Sequence, residues 1–380
     1  MTERECVHHL YSSANNKLIT SIDRLQNDPD TPKIKLTQAH FDRGTYRIRT
    51  RGIYYLDEDI EFSPNANIYS SVNCETFPNV LDNFHPTFAQ LKNKEYSIPP
   101  YQFGFFAALT IECDDVIIDL CGHTLQQSKL HYFHQRFYSN IELNKAPFIS
   151  KQGPSTGLMD DEDSRLPKNI CIRNGTIGLS SHHGIHGNGN TNVLLENLVI
   201  NKFEVAGIAL NGSKNVVCRH IEIRDSSRDV QVNFLYSNAI YTRRFLLDLH
   251  KKDADAFLNI CGVDKKDVNT VICELQEEMI KNVYMCIIRG EQVKSELFYN
   301  PSCFPEGNMY GIVFNKRGVV VGDFIKTYQI NERNKDIIVH DILFKNLDSF
   351  PREIISLTSS DGPVVGTVGN VFPVLQCVDV

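Results

Sequence analysis

The chain is short of the residues that mark several common protein classes. It has no tryptophan among its 380 residues, and none of its 11 cysteines lies in a Cys-x-x-Cys pair. An odd cysteine count without such a pair argues against a secreted disulfide protein, and it indicates free thiols in a reducing compartment. Because tryptophan offers the largest aromatic face, its absence also weakens the case for a sugar-stacking platform.

Long apolar runs and long basic runs are also missing. No stretch approaches the ~20 apolar residues of a transmembrane helix, so no membrane insertion is expected. The first nine residues, Met-Thr-Glu-Arg-Glu-Cys-Val-His-His, lack the apolar core of a signal peptide, which predicts an intracellular or virion location. A formal net charge of −7 disfavours nucleic acid as a partner.

The middle of the chain repeats itself at a fixed interval. Three nine-residue lines at 169–177, 192–200 and 215–223 all begin with asparagine, and each starts 23 residues after the one before. The turn that follows repeats as well, since Gly184-Ile185 is matched by Gly207-Ile208. A period in the twenties predicts stacked supersecondary units.

Within each line the apolar residues alternate. Ile170 and Ile172 are predicted to point one way, and Cys171 and Arg173 the other, which is the periodicity of a β-strand. Glycine or asparagine falls every few residues, so no uninterrupted apolar stripe at helical spacing is present. The pattern predicts a mainly β fold, a single-stranded right-handed parallel β-helix (a solenoid) with a coil period of about 23 residues. The leucine-rich repeat has a similar period, but its Leu-x-x-Leu-x-Leu-x-x-Asn frame does not recur.

Stacking assigns structural roles to residues that could otherwise look catalytic. Adjacent parallel strands lie ~4.8 Å apart, so residues 23 positions apart form columns. Two such columns are predicted, one of alternating charge and one of polar side chains at a bend. They contain Arg173, Glu196 and Arg219, and Asn174, Asn197 and His220, respectively.

The rest of the chain supplies the ends and insertions of this solenoid. Leu18, Ile22 and Leu25 predict a helix that covers the first coil, because an open end exposes strand edges. Apolar residues at helical spacing between Val271 and Ile287 predict a helical insertion. The predicted divisions are an N-terminal helical cap at 1–44, the β-helix at 45–239 with loop insertions at 63–101 and 126–168, the helical insertion at 240–300, and the last coils with a C-terminal cover at 301–380.

The repeated Asn-x-x-Ile-x-Asn-x-x-Ile lines and their Gly-Ile turns resemble the right-handed β-helix proteins of the pectate-lyase-like superfamily. The resemblance is greatest to uncharacterised β-helix repeat proteins of algae and large DNA viruses, and it covers about residues 105–125, 169–235 and 310–350. In that superfamily the coil faces form a groove used by polysaccharide lyases, glycoside hydrolases, epimerases and phage tailspikes. Other members of the superfamily have only binding or structural roles.

The superfamily's catalytic motifs do not transfer to this chain. The polygalacturonase type uses an Asn-x-Asp, a paired Asp-Asp, a Gly-His-Gly and an Arg-x-Lys on successive coils. Here Asp114-Asp115 begins a strand away from the regular stack, and 184–187 (Gly-Ile-His-Gly) is an imperfect match with no Arg-x-Lys after it. The acidic run at 160–163 lacks the alternating frame of a calcium loop.

One polar patch remains as a candidate for acid–base chemistry. His183 and His186 fall in the turn between strands of one coil, Glu204 lies one coil on, and Asp225 lies in the corresponding turn of the next. Imidazoles beside carboxylates can exchange protons near neutral pH, and carboxylates one coil apart can reach the ~5–10 Å separation that glycosidases use. A polar turn ladder and a zinc site from His183, His186 and a carboxylate are the alternatives. No cofactor is expected.

Two functions of different classes follow from these patterns. The first is a non-catalytic structural or interaction protein, for example a virion component, which recognises a glycan or a protein partner along the coil face. The alternative is a polysaccharide-degrading enzyme that uses Glu204 or Asp225 with a histidine of the turn. β-Helix tailspikes form trimers, so a homo-oligomer is a further expectation, although no coiled-coil segment enforces one.

Overall fold

The structure, a computed structural model, describes seven parts of the chain: residues 13–64, 106–134, 138–145, 166–225, 310–315, 333–347 and 375–377. The predicted helical insertion at 240–300 lies outside these residues. So do nearly all of the predicted loop at 63–101 and most of the C-terminal cover. Within the described ranges, no helix is long and apolar enough to cross a membrane.

The described residues form strands, two α-helices and one 3-10 helix. The helices are α1 (Ser13–Asn27), the 3-10 helix (Gln38–His40) and α2 (Lys129–His134). The strands are β1 (Lys33–Leu36), β2 (Tyr46–Ile48), β3 (Gly52–Leu56), β4 (Ile60–Phe62), β5 (Phe106–Ile111), β6 (Val116–Asp119), β7 (Thr124–Gln127), β8 (Tyr138–Glu142), β9 (Lys168–Ile177), β10 (His183–Asn188), β11 (Thr191–Asn201), β12 (Ala206–Asn211), β13 (Lys214–Arg224), β14 (Tyr310–Asn315), β15 (Lys335–Lys345) and β16 (Leu375–Cys377).

These strands form two parallel sheets, which confirms a mainly β protein. Sheet 1 has the order β1-β3-β6-β9-β11-β13-β15, with the short strands β4 and β7 paired beside this path. Sheet 2 has the order β2-β5-β8-β10-β12-β14-β16. In both sheets the spatial order is the chain order, so the chain visits sheet 1 and sheet 2 in turn. We call one sheet 1 segment with the sheet 2 strand that follows it a repeat unit.

The predicted register is confirmed where the chain repeats without interruption. Val193 of β11 pairs with Ile170 of β9 on one side and with Val216 of β13 on the other. Sheet 2 keeps the same interval, with Ile185 opposite Ile208. The aliphatic side chains of these columns form one continuous core between the sheets. This core stabilises the fold, because burial of apolar surface contributes roughly 25 cal/mol per Å².

Asparagine begins each repeated line because the backbone bends there. Asn169, Asn192 and Asn215 all have positive φ angles, of 58°, 62° and 55°. Asparagine tolerates this left-handed conformation better than most residues. The Asn192 amide donates to Asn169 Oδ1 at 2.6 Å, and the Asn215 amide donates to Asn192 Oδ1 at 2.7 Å. The side chains therefore form a hydrogen-bonded ladder up the stack.

Replacing Asn192 with alanine should lower the free energy of unfolding by about 2–5 kcal/mol. Alanine loses both ladder hydrogen bonds, at ~0.5–1.5 kcal/mol each, and pays roughly 1–2 kcal/mol for a left-handed conformation. Asn192→Gly is the matched control, since glycine adopts positive φ freely and loses only the ladder. Guanidinium unfolding of both variants measures the difference. Equal losses in the two variants would contradict the left-handed strain.

A second bend divides each long sheet 1 strand into two halves. Asn174, Asn197, His220 and Asp341 occupy this corner with φ angles of 60°, 53°, 53° and 53°. Just before the corner, the predicted charge column is present, with Arg219 donating to Glu196 through Nε at 2.8 Å and Nη2 at 2.6 Å. These columns fix the register of the stacked strands, as the sequence predicted.

Part of the predicted loop insertion at 126–168 is a strand, which corrects the expectation. Strand β8 pairs with β5 on one side and β10 on the other, with Ile141 opposite both Leu109 and Ile185. The 44-residue step from β8 to β10 breaks the 23-residue period, because additional residues separate β8 from β9. A search for one fixed interval therefore passes over this unit.

The predicted cap at 1–44 is also corrected. Helix α1 does not cover an end of the stack; it lies across the outward face of the first half of sheet 1. Leu18, Ile22 and Leu25 pack there on one side chain from each successive strand, namely Ile53, Ile117, Cys171, Leu194 and Val217. The helix follows the stack because these outward positions are apolar in unit after unit. Residues 33–36 of the same segment form strand β1.

Candidate functional site

The predicted histidines lie on the outward side of sheet 2. Ile185 faces the core, and a Cβ added to Gly184 would meet the interior side chains of Ile177 and Ile200. Two consecutive residues of β10 therefore face inward. This places His183 and His186, three residues apart, together on the opposite side, where their rings stack with centroids 4.8 Å apart and an angle of 6° between planes.

His186 forms a buried pair with Glu142 of the neighbouring strand β8. The His186 Nδ1 atom lies 2.8 Å from Oε2 and 3.0 Å from Oε1 of the Glu142 carboxyl group. The side chain of Glu142 is fully buried, and 7% of the His186 side chain is exposed. The Ser139 hydroxyl lies 3.4 Å from Oε2 and adds a weak hydrogen bond. Carboxyl and imidazole are thus held in place by adjacent strands.

Two opposing effects act on the Glu142 carboxyl. Burial raises its pKa, since a charge is disfavoured away from water, and the His186 ring lowers it by charge and by hydrogen bonding. Burial is the larger effect, so the pKa of Glu142 lies above its usual value. A carboxyl group with a raised pKa beside an imidazole is able to hold or release a proton nearer to neutral pH.

The remaining imidazole nitrogen of His186 faces an amide. The Nδ2 atom of Asn211, on strand β12, lies 3.4 Å from His186 Nε2, and the same amide donates to Asn188 Oδ1 at 2.9 Å. The imidazole of His186 thus lies between the Glu142 carboxyl and the Asn211 amide. The polar atoms of this cluster are oriented by one another.

His182 extends the cluster at the start of the turn. Its ring centroid lies 4.0 Å from that of His183, and the two Nδ1 atoms are 3.1 Å apart. At this distance one of the two nitrogens donates a hydrogen bond and the other accepts it.

Of the two predicted carboxylates, only Glu204 lies beside the histidine turn. The residue after it, Val205, donates its backbone N–H to the His182 carbonyl at 3.0 Å. Glu204 itself is buried, with 7% of its surface exposed. The structure therefore places it one repeat unit away from His182, as the sequence predicted.

Asp225 lies at the start of the corresponding turn, two repeat units from the histidines. It follows β13 at a corner of sheet 1 with a φ angle of 51°, and its carboxylate accepts from Asn346 Nδ2 at 3.0 Å. Its backbone carbonyl accepts from the Lys202 N–H at 2.6 Å. Asp225 is thus part of a corner ladder in sheet 1.

Sequence reasoning missed the principal partner of His186. Glu142 was assigned to a loop insertion, although Tyr138-Ser-Asn-Ile-Glu142 carries an isoleucine in the same column as Ile185 and Ile208. Aligning that isoleucine would have placed Glu142 beside His186. The alternative zinc site receives no support, because the described residues contain no group of three or more His, Cys, Asp or Glu side chains arranged to hold a metal ion.

The pKa of Glu142 predicts a measurable pH dependence of stability. A carboxyl whose pKa is raised on folding contributes stability that is fully present below its unfolded value, near 4.5, and is lost as pH rises through the folded value. The stability of the unsubstituted protein relative to Glu142→Gln should therefore fall as pH increases above about 4.5. Urea unfolding of both proteins from pH 4 to 8 measures this difference. A rise in the difference with pH would contradict a raised pKa.

No protein-family model, curated protein or solved structure matches the chain. The function proposed for the chain therefore rests on the geometry of the described residues.

Proposed function

We propose that the chain winds as a right-handed parallel β-helix of the pectate-lyase-like kind and acts as a non-catalytic interaction protein. The β-helix is supported by two parallel sheets in which the spatial order of the strands is the chain order. It is also supported by the 23-residue register in both sheets. Right-handed winding follows from the general preference of crossovers between parallel strands.

The functional proposal rests on how exposed three outward faces are. They are the first half of sheet 1, the second half of sheet 1 and the histidine side of sheet 2. Helix α1 covers the first half of sheet 1. On the histidine side of sheet 2, Glu142 and Ala209 are 0% and 3% exposed, while His182 and His183 are half-buried. The second half of the long sheet 1 strands, beyond the corner, is half-buried over most of its length and exposed at its last strand. We call this face the open flank; its central column contains Thr176, Val199, Glu222 and Leu343.

The chemistry of the open flank favours a protein partner. Leu343 is 49% exposed and is the only large hydrophobic residue so exposed within the described part of the chain. Charged groups surround it, including Lys345, whose Nζ lies 3.1 Å from Glu222 Oε1. The column has no aromatic ring on which a sugar could stack. An apolar centre with a charged rim is the usual anatomy of a protein interface.

A virion or intracellular assembly remains the proposed setting of this interaction. A parallel stack of rigid units suits such a role, because its surface repeats every ~4.8 Å along the axis and presents an extended flank. A glycan along the same flank is the alternative partner, and a carbohydrate array on the purified protein separates the two.

Site-specific photo-cross-linking tests the proposed flank. A benzophenone side chain is placed at Val199 or Leu343 and, as a control, at Lys35, an exposed position on β1. In an extract of the source, both flank positions should give adducts of one mass, and Lys35 should not. The partner so identified, once purified, should bind the Leu343→Glu variant at least about tenfold more weakly. Adducts of the same mass from Lys35, or unchanged affinity, would contradict binding at the flank.

The Glu142–His186 pair keeps the polysaccharide-degrading enzyme as a second candidate function. In this pair a carboxyl and an imidazole are held within hydrogen-bond distance away from water. General acid–base catalysis needs such a pair, but it also needs a substrate within reach. Product release that depends on His186 would support this alternative.

A further inference from the structure

The last strand of sheet 1 has an incompletely covered apolar side. Ile337, Val339, Ile342 and Phe344 of β15 occupy the same inward columns as Val216, Cys218, Ile221 and Ile223 of β13. The β13 residues are 0–2% exposed, whereas the β15 residues are only partly buried. Among the described residues, no strand pairs with the other edge of β15.

The two edges of sheet 1 differ in the protection that they carry. Strand β1, at the opposite edge, has four residues, and its exposed lysines Lys33 and Lys35 discourage pairing with another strand. Strand β15 has 11 residues, and its inward positions are apolar, with charged residues at its two ends and at its corner. A long edge with an apolar inward side is a template for strand addition. Strand addition is therefore expected at β15 and not at β1.

The sequence of β15 is complementary to itself in one antiparallel register. If two copies meet about a twofold axis between His340 and Asp341, residues whose numbers sum to 681 lie opposite each other. Ile337 then faces Phe344 of the second copy, and Val339 faces Ile342, so every inward residue meets an inward residue. Asp336 meets Lys345, which places opposite charges together at both ends of the pairing.

We propose that the chain forms a twofold symmetric dimer, end to end, through antiparallel pairing of β15 with β15 of a second copy. The pairing buries the half-covered inward residues of both chains and continues sheet 1 across the axis. It is isologous, as a twofold interface must be, and it closes, so it does not lead to fibres. The dimer goes beyond the partner proposed for the open flank and shares only strand β15 with it, since Leu343 lies on the outward side of that strand.

Charge reversal tests this register. Asp336→Lys places two lysines opposite each other at both ends of the pairing, and Lys345→Asp places two aspartates there. The double variant Asp336→Lys/Lys345→Asp restores opposite charges. Lysine is tolerated at the positive φ angle of Asp336 (55°), because Lys202 has a φ angle of 54° in this chain. The matched control reverses the exposed Lys35–Asp57 ion pair on the far side of the stack.

Analytical ultracentrifugation from nanomolar to high micromolar concentration gives the readout, and circular dichroism melting confirms folding of each variant. The unsubstituted chain and the control should sediment as dimers. Each single variant should weaken the dimer at least about tenfold, and the double variant should restore most of that loss. A monomer at every concentration overturns the proposal. The proposal is also overturned if the single charge reversals leave the dimer affinity unchanged, or if the double variant dimerises as weakly as the single variants.

Discussion

Replacing His186 with leucine is expected to lower the free energy of unfolding by about 3–5 kcal/mol at neutral pH, among the largest effects of any single substitution here. The change leaves the Glu142 carboxyl fully buried without the imidazole that now lies 2.8 Å away. A buried carboxyl without its partner must either remain charged in a poor medium or take up a proton. Guanidinium unfolding monitored by circular dichroism measures the loss.

A double variant tests whether Glu142 and His186 contribute to stability as a pair. Glu142→Leu/His186→Leu replaces both polar groups by apolar ones, and such replacements are often close to neutral. The double variant should therefore be more stable than His186→Leu alone. If the double variant is less stable by the sum of the two single losses, the two side chains do not act as a pair.

Replacing Gly184 with alanine is expected to destabilise the fold by about 3 kcal/mol, at the upper end of the range for overpacking. The added Cβ would lie 2.5 Å from the backbone oxygen of Gly207, the equivalent residue of the next repeat unit, and 3.2 Å from Ile200 Cγ2. A backbone oxygen held in a parallel sheet cannot rotate away as a side chain can. Adjacent sheet 2 strands would have to separate.

Gly122→Ala is the control for this substitution. Gly122 has a φ angle of 87° and nothing within 4 Å of an added Cβ, so alanine there meets conformational strain but no neighbour. Its expected loss is about 1 kcal/mol. Thermal unfolding of the two variants compares them directly. A loss at Gly184 no larger than that at Gly122 would contradict the close approach of successive strands.

Much of the fold could be predicted because stacked units place the same residue types at a regular interval in the sequence. Asparagine recurs at 169, 192 and 215 because a left-handed corner and a hydrogen-bonded ladder both require it. The inward isoleucines recur because each fills the same column of the core. Parallel strands, their register and the charge column at Arg219 followed from that interval alone.

The rest could not be predicted because inserted residues break the interval. The steps between paired residues of successive units reach 54 and 121 residues where additional segments intervene. Strand β8 was missed for this reason, and Glu142 with it.

The histidines illustrate why residue type alone does not identify a catalytic site. His186 and Glu142 have the chemistry of an acid–base pair, yet their exposed fractions are 7% and 0%. His186 is also held between a carboxyl and the Asn211 amide, so its polar atoms are already satisfied. The open flank has no such pair but offers accessible surface. We therefore propose binding on the ground of accessibility.

A polysaccharide-degradation screen tests that proposal most directly. The purified full-length chain and the variant Glu142→Gln are incubated with a wide panel of neutral and acidic polysaccharides, and released reducing ends and unsaturated products are measured. The proposed interaction protein releases no product from any of them. Product release by the unsubstituted chain that is lost in Glu142→Gln, while the variant keeps its fold by circular dichroism, would contradict the account and make the buried pair an active site.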